Sequence, residues 1–226
     1  KNEFLKEFCS AKKICKFVYT TLLKDIQTEP TKCKQKWTQD LIMHDANAEN
    51  INWNFAFSST FKITKETKLL NFQFKFLHRR ITTNSFLFKI GRSQSNKCYF
   101  CNSTQESLIH LFWECAYVQS FWKKLHSWLN EKQKTASCLA VLVVLGLQNL
   151  DNDKFNVEKH IFLLGRFFIY MCKMQAVIPT FEQFKPKLRA LQNIEQQIAI
   201  QKGDLNHYVK KWKNLSLLPS SQTSDH

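Results

Sequence analysis

Residues 98–115, CYFCNSTQESLIHLFWEC, hold three of the chain's eight cysteines and one of its seven histidines. Their order is Cys98-x2-Cys101-x8-His110-x4-Cys115. A Cys-x2-Cys pair serves either thiol–disulfide exchange or metal ligation. A redox pair of this spacing ordinarily opens a helix in a thioredoxin-like setting. Here a loop and then a His/Cys pair follow, the order of a zinc knuckle. One tight turn presents two thiolates, and a second element returns an imidazole and a third thiolate. Asn102, directly after the turn, tolerates the left-handed backbone that knuckles often need. Protein side chains then fill all four positions, which favours a structural zinc over a catalytic one with an open place for water. No glutamate stands in a deaminase-type His-x-Glu arrangement with these residues. Glu106 and Glu114 read as solvated or capping side chains. The expected cofactor is one structural Zn2+ on Cys98, Cys101, His110 and Cys115.

The other cysteines, at 9, 15, 33, 138 and 172, have no paired spacing and read as single thiols in a reducing compartment. The chain has 226 residues, 44% of them hydrophobic, enough for one good core or two small ones. Twenty Phe and six Trp against four Gly and four Pro favour helices over a turn-rich β fold. The expected class is mainly α: a helical domain stapled by a small CCHC zinc knuckle, with little β. The most apolar runs, 138–147 and 160–172, fall short of a bilayer span, and the second contains Arg166, so both read as core and no membrane is expected. The opening KNEFLKEFCSAKKICKFVY lacks the apolar stretch of a secretory signal. It begins on Lys1, as a piece of a longer protein would. An intracellular place, in nucleus and cytoplasm, is expected.

The net charge is +15. Residues 1–97 carry 18 Lys and Arg against 8 Asp and Glu, and the remainder 15 against 10. An excess of this size serves solubility or a polyanionic partner, most often nucleic acid. On the second reading Lys75, Arg79, Arg80, Lys89, Arg92 and Lys97 would contact phosphates, since folding around zinc gathers them near the knuckle. Tyr99 and Phe100 would stack on unpaired bases or else pack beneath the knuckle. Trp113 and Trp122 read as core, and His78 and His126 as surface or core histidines.

The elements that must hold these residues are mostly helical. Residues 1–50 read as basic helix broken near 28–32, with Trp37 and Leu41 on one side. INWNFAFSSTFKI (51–63) alternates apolar and polar and reads as an extended or loop segment. For 64–81, Phe72, Phe74 and Phe76 alternate like a strand, while Leu70, Phe74, Leu77 and Ile81 fit a helical face; length and composition favour the helix. Val118, Phe121, Trp122, Leu125, Trp128 and Leu129 define an amphipathic helix over 116–132. SCLAVLVVLGL reads as a buried extended piece. Helices are expected at about 157–175 and from Phe181 towards 202, the latter stopped by Gly203. Asp151 and Asp153 read as a loop with a helix cap. The implied divisions are a basic N-terminal helical segment (1–63), a knuckle domain (64–132), a C-terminal helical segment (133–215) and a disordered tail (216–226).

With the ligands and flanks in view, CYFCNSTQESLIHLFWECAYVQSFWKKLHSWL resembles the zinc-binding segment in the C-terminal region of LINE-type (non-LTR) retrotransposon reverse transcriptases. The match lies in the four ligands, in Leu111-Phe112-Trp113 and in Phe121-Trp122. Ala116 stands where that family often has Pro, and Glu106-Ser107 replaces its acidic-Thr step. Upstream, KLLNFQFKFLHRRITTNSFLFKIG resembles the family's basic helix and Thr-containing turn, and the segments near 168–184 and 194–212 resemble its tail helices. The resemblance implies a non-catalytic nucleic-acid-binding module, with RNA or DNA of the element and the polymerase domain of the parent protein as partners. The chain has no Asp-Asp dipeptide for two-metal nucleotidyl transfer. The competing reading is a zinc-stapled structural or protein-interaction module, such as a domesticated or fragmentary retroelement product.

Overall fold

A computed structural model describes residues 32–64, 66–133, 139–147, 156–212 and 215. The expectations for the first 31 residues, Cys9, Cys15, Cys138, Asp151, Asp153 and the tail lie outside them. The chain divides into two compact units, Lys1–Lys36 and Trp37–His226. In the second unit a single buried cluster gathers residues from Trp37 to Leu215. Among the described residues the fold is mainly α, without strands; an isolated antiparallel bridge joins Lys97 and Gln105.

Helix α1 spans Lys32–Leu41 and buries Trp37 and Leu41. After a 3-10 turn at Ala46–Asn50 comes α2, Trp53–Ile63. This segment is helical, not extended as its alternation predicts. Asn52 caps it by accepting the Phe55 N–H at 3.0 Å, and the buried Ala56, Ser59 and Thr60 follow helical spacing. Its apparent period of two arose from an asparagine that serves as a cap.

Helix α3, Thr67–Leu77, is helical as expected but turned about its axis. It buries Leu69, Phe72, Gln73, Phe76 and Leu77, while Phe74 is exposed. Two apolar faces compete in this sequence, and aromatic packing chooses between them. Phe72 meets Phe112 and Phe167, and Phe76 meets Trp37 and Phe112, with centroids 5.0–6.1 Å apart. The C-terminus of α3 is held from α1: Trp37 Nε1 donates to Leu77 O at 2.9 Å. Arg79 adopts a left-handed φ of 55° just past the helix, with its guanidinium on Asp40 and over the Trp37 ring.

The short α4, Asn84–Lys89, is capped by Thr83 and ends at Gly91, whose φ of 69° suits the two reverse bonds Gly91 N–H to Phe88 O and Arg92 N–H to Leu87 O. Helix α5, Ala116–Gln133, buries Val118, Phe121, Trp122, Leu125 and Leu129, as its spacing predicts; Trp128 is half-buried. Val141–Val144 is one helical turn, α6, instead of an extended piece. Burial of Val141, Leu142 and Val144 outweighs the β preference of valine. The turn closes on Gly146, against which the Arg166 side chain packs closely.

Helices α7 (Asn156–Met174), α8 (Phe181–Lys202) and α9 (Leu205–Trp212) complete the core. Gly165 lets α7 lie directly on Trp122. Arg166 is buried and donates to Val144 O and Gln73 Oε1, joining α6 and α3 to α7. Pro186 lies in the second turn of α8, beyond the free N–H groups of the first, so the helix gives up one backbone bond there. Glu195 of α8 accepts from Lys211 and Trp212 of α9 and faces His160 of α7. No helix among the described residues is long and apolar enough to cross a membrane.

Candidate metal centre

Two local structures bring the Cys/His set together. The first is a small hairpin. Cys98 N–H donates to Thr104 O at 2.8 Å and Glu106 N–H to Asn96 O at 2.9 Å, which folds the loop back on itself. At its tip the Asn102 N–H closes on Cys98 O at 2.9 Å, and Asn102 takes the expected left-handed conformation at φ 51°. Cys98 and Cys101 therefore face the same side of one turn.

The second is a turn of π-helix at His110–Glu114, closed by Cys115 N–H on His110 O at 2.9 Å. In an ordinary α-helix, residues five apart diverge by about 140°. The wider π turn brings positions i and i+5 back onto one face, so the His-x4-Cys spacing presents both ligands together. Ser107 Oγ accepts the His110 N–H at 2.9 Å and fixes the start of the turn. Leu111 and Phe112, between the two ligands, are fully buried, and Phe112 O accepts Trp122 Nε1 at 2.8 Å.

The result is a compact donor set. The ligand atoms of Cys98, Cys101, His110 and Cys115 all lie within 4.8 Å of one another, so the group could hold a metal ion. Cys98 Sγ and Cys115 Sγ are 3.9 Å apart, and Cys101 Sγ is 3.4 Å from His110 Nε2. A tetrahedron with bonds of about 2.3 Å to sulfur and about 2.0 Å to nitrogen has edges of roughly 3.5–3.8 Å. Three thiols and one imidazole at these separations fit zinc.

Without a metal the electrostatics favour the thiolate at Cys101 and Cys115 and the thiol at Cys98. Burial pushes the Cys101 thiol up, but hydrogen bonds from the Ser103 hydroxyl, the Ser103 and Thr104 backbone and His110 outweigh it and bring it down to about 5. Cys98 is raised by its hydrogen bond to Cys115 and by burial, and Cys115 is lowered by accepting that bond. A bound cation favours the deprotonated form of every thiol in the set. Burial lowers His110, yet its hydrogen bond to Cys101 and the charge of Cys98 raise it overall. Glu114 Oε2 lies 3.7 Å from His110 Nδ1, and its other oxygen pairs with His44 at 3.0 Å. The 3.7 Å separation is beyond hydrogen-bond reach, and the nearer neighbour of the ring nitrogen is Thr104 Oγ1 at 3.2 Å.

Of the two roles expected of Glu106, it takes the capping one, at the first N–H of α4, and is not solvated. It is fully buried. One carboxylate oxygen accepts the Asn84 N–H at 2.7 Å, the other accepts the Tyr99 N–H at 2.8 Å, and Lys173 pairs with the first. Nothing local in the sequence signals this, because the partners are 22, 7 and 67 residues away.

The basic and aromatic candidates separate into two groups. Lys75, Arg80, Lys89, Arg92, Lys97 and Tyr99 are exposed. Arg79 is engaged by Asp40 and Trp37, and Phe100 is only 6% exposed, so neither offers a free surface. Trp122 lies in the core, Trp113 packs partly buried against it, and His78 and His126 are half-buried. Two exposed rings were missed, Phe86 and Phe88 of α4. A signal for them was available: residues 67–105 contain seven Lys and Arg and no Asp or Glu.

No solved structure matches the chain. A family comparison matches residues 32–122, from the start of α1 to Trp122 in α5, to the model described as zinc-binding in reverse transcriptase. That match stops short of the tail helices, and it is to a zinc-binding region, not to a catalytic polymerase domain. The donor set sits within it, and residues 32–122 are thus similar to a reverse-transcriptase-associated zinc-binding region.

Proposed function

We propose that the chain is a zinc-stapled, nucleic-acid-binding module of a LINE-type (non-LTR) retrotransposon reverse transcriptase, without catalysis of its own. The observation that carries this reading is the four-residue Cys/His cluster, lying inside the matched region with its first two members in a long stretch free of carboxylates. One structural Zn2+ on Cys98, Cys101, His110 and Cys115 locks the hairpin to the π turn. Through Phe112 and Trp122 the turn is bound to the helical core, and through Glu106 the hairpin is bound to α4 and α7. The exposed Lys75, Arg80, Lys89, Arg92 and Lys97 then take phosphates of the element's RNA or DNA, while the polymerase domain of the parent protein performs the chemistry.

A salt titration tests it. The affinity for a labelled single strand should fall with a log–log slope of about −0.7 for each phosphate contacted, or roughly −3 for four or five contacts. Absent or salt-insensitive binding would leave the structural or protein-docking module as the better reading.

A further inference from the structure

Helix α4 is unusual in this fold. Its sequence, NSFLFK, is half apolar, yet none of its residues is buried. Phe86 is 52% exposed and Phe88 50%, and Ile90, just past the helix, 51%. Phe86 and Ile90, four apart, share one flank and Phe88 lies on the other, and large apolar side chains left this exposed together in a folded chain mark a contact surface. The helix is also firmly placed. Thr83 caps it, Asn84 Nδ2 donates to Lys97 O at 2.8 Å, and the buried Glu106 carboxylate accepts both the Asn84 and Tyr99 N–H groups. The same carboxylate thus sets α4 beside the exposed Tyr99 ring of the knuckle.

Charge decides what kind of partner fits. Lys89 follows Phe86 by three residues and shares its side of the helix. Arg92 follows the Gly91 cap, and Lys97 lies on the facing loop; all three are exposed. No Asp or Glu occurs between Glu66 and Glu106, and Glu106 is itself buried and paired with Lys173. Rings interleaved with cations, with no carboxylate in the stretch, suit a strand whose phosphates meet the cations and whose unpaired bases meet the rings. A duplex keeps its bases stacked on each other and would use only the cations.

We infer that α4 and Tyr99 form a base-stacking surface for single-stranded nucleic acid, with Phe86 and Phe88 as its principal rings. This rests on the nucleic-acid reading above and names the form of ligand and the residues that discriminate it. Phe86 and Phe88 leave the helix on opposite flanks, about 200° apart. They therefore serve bases a few nucleotides apart on a strand that crosses the helix, not adjacent ones.

The test separates bases from phosphates. Zinc-loaded full chain is titrated by fluorescence anisotropy with a labelled single strand of about 20 nucleotides, an abasic strand of equal length and a blunt duplex. The wild-type chain should bind the base-bearing strand about tenfold or more tighter than the abasic one. Phe86→Ala and Phe88→Ala should each remove about fivefold or more of that preference and leave abasic affinity unchanged. Phe86→Trp should keep the preference and Phe86→Leu should lose it, with zinc content and melting temperature confirming the fold of each variant. Equal affinity for base-bearing and abasic strands, or a preference indifferent to both rings, overturns the inference while leaving the phosphate-binding module intact. Variants that keep the strand but lose the parent's polymerase domain would assign the face to protein and also overturn it. Failure to bind any of the three nucleic acids at low salt would instead remove the underlying reading.

Discussion

Glu106, in the hairpin that carries Cys98 and Cys101, and Lys173 of α7 form an ion pair shut away from water, with side chains 0% and 8% exposed. The two residues are 67 apart in the chain. The pair anchors the hairpin to a core helix well beyond the matched region, and the remaining carboxylate capacity is used by two backbone N–H groups.

Removing one partner strands the other. Glu106→Gln should cost about 3–5 kcal/mol in denaturant unfolding, because Lys173 would be left as a buried, uncompensated charge. The double variant Glu106→Gln/Lys173→Met should recover part of the loss. Strict additivity of the two single changes would show that the pair is not coupled.

Metal and folding should be linked. Replacing Cys101 or His110 by Ala should abolish stoichiometric zinc and lower the melting temperature, and chelation of the wild-type chain should do the same. The same change at Cys172, a buried cysteine outside the set, should leave zinc content untouched. Elemental analysis beside a thermal melt reads both. An unchanged melt on chelation would contradict the staple.

Gly165 has no room for a side chain. A Cβ there would sit 2.7 Å from the Trp122 ring. Trp122 has little freedom to retreat, since its Nε1 is bonded to Phe112 O and its ring lies between Phe121 and Phe162. Gly165→Ala should therefore destabilise by about 1–3 kcal/mol, against the usual gain from Gly to Ala within a helix. Equilibrium unfolding gives the sign directly.

Acid should loosen the tail helices first. Burial pushes the Glu195 carboxyl up, but its bonds to His160 and Lys211 and their charges bring it down to about 2. A carboxylate with a depressed native pKa contributes stability that is complete above its unfolded value of about 4.3 and fades as pH falls towards the native one. Melting temperature should decline between about pH 5 and pH 2, and Glu195→Gln should be less stable at neutral pH and flatter across that range. A wild-type profile no steeper than that of the variant would exclude Glu195 as the titrating group.

Local features were legible in the sequence to the extent that they depend on near neighbours. The knuckle spacing, the α5 face and the Gly203 stop each lie within a few residues of their cause. Helix α2 was not legible, because Asn52 has the place of a polar residue in an alternating strand and its capping bond to Phe55 exists only in the fold. The face of α3 depended on Phe112 and Phe167, and the burial of Phe100 on how the hairpin docks. The role of Glu106 depended on a lysine 67 residues away. Spacing picked out the Cys/His set that the fold brings together, while tertiary contacts decided which charges and rings remained exposed.

The π turn sets what length the segment between His110 and Cys115 can take. Five apart, the two residues share a face because the turn is wide. Deleting one residue would leave them four apart, where an ordinary α turn already places them within about 40° of each other, so the donors would converge again with the π turn gone. Inserting one would set them six apart and about 120° from each other around an ordinary helix. The segment carries one residue more than a plain helical turn needs: it has slack to lose and none to gain.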